Sequence, residues 1–119
     1  MKLKNIEMSN YLTALNNVAD KVSGMLAYAV ARNIRKLEGE LAEYLKIKNE
    51  TIVKYGTLGD DGISRIQIGS DECQKYLDEM KQYDEIEHEV EIFMVGSSVL
   101  NDSSLNARDI VSIDFMLEE

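Results

Sequence analysis

Apolar residues recur at helical spacing through the first half of the chain and in short alternating stretches through the second. In "SNYLTALNNVADKV", residues 9–22, Leu12, Leu15, Val18, Ala19 and Val22 fall on one helical stripe. Ser9 is the expected N-cap. Ser23-Gly24 is the expected stop, because glycine readily takes the left-handed conformation at a helix end. A second helix is predicted from Met25 to Tyr55, where Val30, Ile34, Leu37, Leu41, Leu45, Ile52 and Tyr55 recur at helical intervals. Lys36 with Glu40, Lys46 with Glu50 and Glu50 with Lys54 stand four apart, the spacing at which opposite charges on a helix meet. Gly56 closes the helix. With about 30 residues it would run roughly 45 Å. A globule of this size is outreached by such a helix, so it should either kink or be covered by a second copy. Gly39 inside it costs up to about 1 kcal/mol relative to alanine. Ala31, Gly39 and Ala42 form a strip of small residues where another element could approach closely, the expected self-association surface.

Beyond the second helix, Asp61-Gly62 predicts a hairpin, with Ile66 and Ile68 alternating on the return strand. Asp71 to Gln74 has capping-box spacing and opens a third helix that should bury Tyr76, Leu77, Met80 and Tyr83. "DEIEHEVEIFMV", residues 84–95, reads as a strand. Its parity puts Ile86, His88, Val90, Ile92 and Met94 on one face and Glu85, Glu87, Glu89, Glu91 and Phe93 on the other. "GSSVLNDSS" reads as a polar loop. In the closing stretch Val111, Ile113, Phe115 and Leu117 alternate as in a strand, whereas Ile110, Ile113, Met116 and Leu117 suit a helix. The Asn106 to Asp109 cap spacing favours the helix. The predicted order is α-α-β-β-α-β-α, an α+β fold in which a helical hairpin with one long helix packs on a small antiparallel sheet.

Composition narrows the function classes. At 119 residues the chain is expected to form one domain, 1–119. Its 45% apolar and 29% charged content suits a folded soluble protein. A single cysteine gives no internal disulfide, and "MKLKNIEMSNYL" lacks a signal-peptide core, so a cytosolic location is expected. No apolar run reaches the roughly 18 residues needed to span a bilayer, so no membrane association is expected. The net charge of −9 is unevenly spread: residues 1–55 carry +3 and residues 56–119 carry −12. Such a field repels nucleic acid and favours basic partners.

The glutamate row is the most distinctive feature. Its members would sit about 6.6 Å apart along one side of the strand. That spacing is close to that of successive phosphates, so imitation of nucleic acid is one reading and a solvated face that discourages edge pairing is the other. Partner contacts are expected from Glu85, Glu87, Glu89 and Glu91 together with Asp78, Glu79 and Asp84. His88 falls on the opposite face from the glutamates, which argues against a shared metal ion; it should be partly buried and bonded to a carbonyl. Cys73 reads as a free, buried thiol. Asp60-Asp61-Gly62 reads as a turn rather than a calcium loop. The Asn49-Glu50-Thr51 and Asn101-Asp102-Ser103 sequons carry no meaning in a cytosolic chain. No Walker loop, G-x-G-x-x-G, H-E-x-x-H or C-x-x-C occurs. The sequence therefore predicts no enzyme, no catalytic or metal-binding residues and no cofactor.

Three stretches, "MKLKNIEM", "AYAVARNIRKLEGELAEYL" running on to "IVKYG", and "ARDIVSIDFMLEE", together resemble a family of small, uncharacterised phage and prophage proteins of Gram-positive bacteria. The match covers most of the chain and is looser over 57–84. It rests on core and helix positions and carries no active site. It implies a phage or prophage product working in the cytoplasm of a bacterial host. Two roles are expected from the whole reading. One is an acidic, anti-CRISPR-like inhibitor that binds a basic host protein such as a nucleic-acid-binding nuclease. The other is a virion or tail assembly protein that self-associates, for example as a homodimer, through the long helix.

Overall fold

The computed structural model describes residues 1–101 and 103–118; Asp102, in the expected polar loop and the second sequon, and Glu119, at the end of the closing stretch, lie outside them. The chain begins with a short strand, β1 (Lys2–Lys4), that runs directly into helix α1 (Asn5–Val18). Helix α1 therefore starts four residues before the expected cap at Ser9. Met8, one turn before Leu12, extends the apolar stripe backwards and is fully buried. The helix start is closed by Glu7, whose carboxylate accepts the Lys4 backbone N–H at 2.9 Å. A short 3-10 turn (Ala19–Lys21) leads to helix α2 (Gly24–Tyr55), whose first residue has φ +60°.

Helix α2 is the spine of the molecule. Its 32 residues correspond to about 48 Å, matching the longest dimension of 47 Å. It runs as one continuous helical segment, and α1 and α3 of its own chain pack along it. Helix α1 packs against α2 and, with it, supplies most of the buried core: Met8, Leu15 and Val18 meet Leu26, Ala29, Val30, Leu37 and Leu41. The hairpin follows, β2 (Thr57–Leu58) paired antiparallel with β3 (Ser64–Arg65). Its turn uses Gly62 at φ +80°, as expected for Asp61-Gly62. The return strand is shorter than its alternation suggested, ending at Arg65 and leaving Ile68 92% exposed.

Helix α3 (Asp71–Asp84) is capped by Ser70, one residue before the expected Asp71; its hydroxyl accepts the Cys73 N–H at 3.1 Å. Met80 is buried and Tyr76 and Tyr83 pack on the core, but Leu77 is 53% exposed, contrary to its expected burial. From here the chain descends α2 in steps. Lys54 meets Glu79, Tyr44 meets Asp84, Glu40 faces His88, and Asn33 holds Phe93.

Of the strand expected over 84–95, only β4 (Glu87–Glu89) forms a ladder, antiparallel to β1. Residues 90–94 lie outside any ladder; Val90 still exchanges backbone bonds with Met1, its N–H donating to the Met1 carbonyl at 2.8 Å, and Phe93 is held by the Asn33 side chain. The predicted parity holds in part: Val90 and Ile92 are buried and the four glutamates exposed, but Ile86, expected inside, is 46% exposed and Phe93, expected on the glutamate face, packs against the core. Strand β5 (Val95–Gly96) then pairs in parallel with β6 (Leu117–Glu118). Between them stand a 3-10 turn (Ser97–Leu100), with Val99 and Leu100 packed against the core, and helix α4 (Ala107–Ser112). Asn106 caps α4 through its side chain, which accepts the Asp109 N–H at 3.0 Å. The closing stretch thus combines both readings: a short helix, a 3-10 turn (Asp114–Met116) and a strand. Ile113 and Met116 are fully buried, and Phe115 stacks on Tyr11 with ring centroids 4.0 Å apart. The architecture is α+β, mostly helical, with small two-stranded ladders at the edges of the helices.

Candidate functional site

Of the seven acidic residues expected to contact a partner, most have work inside the fold. Glu85 pairs with Lys4 at 2.8 Å, and Glu89 with the Met1 amine at 2.9 Å. These contacts arise because β1 lies beside β4, in register Lys2 with Glu89 and Lys4 with Glu87. A basic edge strand thus lies along the acidic one and offsets the like-charge repulsion of the row. Each ion pair holds its glutamate carboxyl below the usual carboxylate range, and raises the Lys4 amine. Glu79 accepts from Lys54 at 2.7 Å across the α2–α3 contact. Asp84 accepts the Tyr44 hydroxyl at 2.5 Å; burial, then the nearby carboxylate, pushes the Tyr44 phenol up. Asp78 accepts from Gln74 Nε2 at 2.9 Å, one turn away on α3. Among the described residues, Glu87, Glu91 and Asp78 form no ion pair, and all three are exposed.

His88 sits partly exposed with Nδ1 3.9 Å from the Glu40 carboxylate. Its partial burial is as expected, but among the described residues its ring makes no hydrogen bond to a carbonyl; the charged group it faces is the α2 carboxylate. The pairs expected along α2 are likewise redirected: Glu40 turns to His88, and Lys54 to Glu79. Cys73 is half-buried, where full burial was expected. Asp61 does serve its turn: it accepts the Ile63 N–H at 3.1 Å and pairs with Arg65 at 2.7 Å, which lowers its carboxyl. Among the described residues, no group of three or more His, Cys, Asp and Glu is placed to hold a metal ion. Nor is any described helix long and apolar enough to cross a membrane.

The small-residue strip lies open. Gly39 and Ala42 are exposed, and a Cβ built on Gly39 would meet nothing within 4 Å. Ala31 is half-buried, in the wall of a groove. That groove, about 740 Å³, runs between Tyr28–Lys36 of α2 and the extended residues 91–94. The sequence reading missed it. Its floor is Asn33, whose amide bonds both ways to the Phe93 backbone: Nδ2 donates to the carbonyl at 3.0 Å, and Oδ1 accepts the N–H at 2.8 Å. The Arg32 guanidinium lies 5.0 Å from the Phe93 ring centroid and 5.8 Å from that of Tyr28, and Nη1 donates to the Tyr28 hydroxyl at 3.2 Å. Arg35 and Lys36 are exposed on the same wall. A signal for the wall existed in the sequence, since Arg32, Arg35 and Lys36 stand three and four apart on one side of a helix. The facing wall is nearly 60 residues away in the chain and could not be paired with it by pattern.

Comparison with protein-family models, with curated proteins and with solved structures finds no match in any of the three.

Proposed function

We propose that the protein is a non-enzymatic phage or prophage product that acts by protein–protein binding in the host cytoplasm, as an acidic inhibitor of a basic host factor such as a defence nuclease. The observation that carries this reading is the outward row of Glu87 and Glu91, both exposed and in no ion pair among the described residues, although Lys4 faces Glu87 across the ladder, in a half of the chain that bears −12. Asp78 adds a third such carboxylate. The fold also narrows the contact set. Glu85, Glu89, Glu79 and Asp84 stabilise the molecule itself, so reversing their charge would confound binding with folding. The discriminating variant is Glu87→Lys combined with Asp78→Lys. It should keep the fold, judged by its circular dichroism and unfolding midpoint, and weaken inhibition of the target by at least about tenfold, since like-charge contacts oppose association. Inhibition unchanged by that double reversal would remove the acidic surface from the mechanism.

Self-association for virion or tail assembly is the second reading, favoured by the open ground over Gly39 and Ala42. Sedimentation of the purified chain tests it. A dimer dispersed by Gly39→Leu would move the assignment to assembly; a monomer at all accessible concentrations would remove it.

A further inference from the structure

The groove between α2 and residues 91–94 adjoins the acidic surface at Glu91 but differs from it in charge, since its other wall carries Arg32, Arg35 and Lys36. In a chain with 22 acidic and 13 basic residues, three neighbouring cations would be expected to find carboxylates. Among the described residues, Arg32, Arg35 and Lys36 form no ion pair, and Glu91 is the one acid in the lining. Arg32 is held in place by two aromatic rings and the Tyr28 hydroxyl, which leaves its other N–H groups oriented without further ordering. Tyr28 is 52% exposed, and its ring stands beside these charges, edge-on to Phe93. The Asn33 clamp fixes the opposite wall, so the two sides cannot drift apart independently. The volume falls within the roughly 300–1,000 Å³ of small-ligand sites.

We propose that this groove binds a nucleotide: a planar base stacked on Tyr28, with its phosphates on Arg35 and Lys36 and the fixed Arg32 between them. Arginine and lysine suit phosphate oxygens, and an exposed aromatic face suits any base. The charge of the whole molecule selects a compact ligand over a long one. Screening confines each charge to about 8 Å at physiological salt. A mononucleotide stays within reach of the three cations, whereas a nucleic-acid strand would extend over a surface of net −9. A second copy of the chain would bring the same excess of negative charge.

Calorimetric titration of the full chain with ADP, with inorganic pyrophosphate and with a single-stranded decanucleotide separates these cases. ADP should bind saturably, and more tightly than pyrophosphate, which lacks a base to stack. Arg35→Glu combined with Lys36→Glu should weaken ADP binding at least about tenfold. Tyr28→Ala should weaken ADP by roughly five- to a hundredfold and weaken pyrophosphate less, because it removes the stacking face from ADP alone while both ligands lose the Tyr28 support of Arg32. Glu87→Lys with Asp78→Lys should change neither, which separates the groove from the acidic surface. The proposal is overturned by no saturable ADP binding at millimolar concentration, by pyrophosphate binding as tightly as ADP, by the decanucleotide binding more tightly than ADP, or by ADP affinity surviving the Arg35/Lys36 reversal.

Discussion

Asn33 holds Phe93, within a stretch (91–94) that has no ladder partner. It is 1% exposed and satisfies both backbone groups of Phe93, as a neighbouring strand would. Replacing it with alanine leaves the Phe93 N–H and carbonyl unpaired beside a new cavity. The expected cost is about 2–4 kcal/mol, read as a fall in the urea midpoint. A loss under about 1 kcal/mol would mean that the strand is held by Val90 and Ile92 alone. Gly39 gives the opposite case. It lies inside α2 with open space where a Cβ would go, so Gly39→Ala should stabilise the chain by roughly 0.5–1 kcal/mol; a destabilised variant would show that something does contact the strip. At this scale the sequence was informative where a residue's role is local, as with Asn106 and Asp61. It was silent on Asn33, because a polar residue in an apolar stripe does not reveal its partner 60 positions away.

Among elements, α2 was legible to within a residue at each end, because its periodicity is long and glycines flank it. Helix α1 and β4 were misplaced for related reasons. Strand β1 has only three residues and no alternation long enough to detect, yet it absorbs the N-terminal segment and supplies the cations facing the glutamate row. That pairing predicts how stability varies with pH. Glu85 and Glu89 titrate below the ordinary glutamate value of 4.5 in the folded chain. Below that value the unfolded chain takes up protons while the folded one resists. Their contribution is therefore present above pH 4.5 and is lost as pH falls further. Lys4, raised above 10.5, contributes below that pH and loses its contribution as pH rises through its folded value. Lys4→Met should make the acid limb of the stability curve shallower, by returning Glu85 to its ordinary titration. An acid limb as steep as the parent's would show that the Lys4–Glu85 pair contributes nothing to folding.

For the whole molecule, the contrast between +3 and −12 halves was visible in the sequence, but its spatial arrangement was not. Folding lays the basic N-terminal strand against part of the acidic row and gathers three helix cations into a separate groove. The acidic surface is thereby reduced to Glu87, Glu91, Asp78 and the acids around them. Exposed apolar residues also occur in the acidic half: Leu58, Ile63, Ile68 and Leu77 all fall in the hairpin-to-α3 region, close in sequence to Asp60, Asp61, Asp71 and Glu72. Apolar positions ringed by charge are the usual make-up of a protein contact. A pull-down from bacterial lysate at about 0.1 M and about 1 M salt, where the screening length falls from about 10 Å to 3 Å, with the Glu87→Lys/Asp78→Lys variant alongside, tests the proposed binding role most directly. One basic partner should be captured at low salt, released at high salt and lost by the variant. A partner retained through both the salt and the charge reversal, or recovery of the chain's own copies alone, would contradict the proposed role.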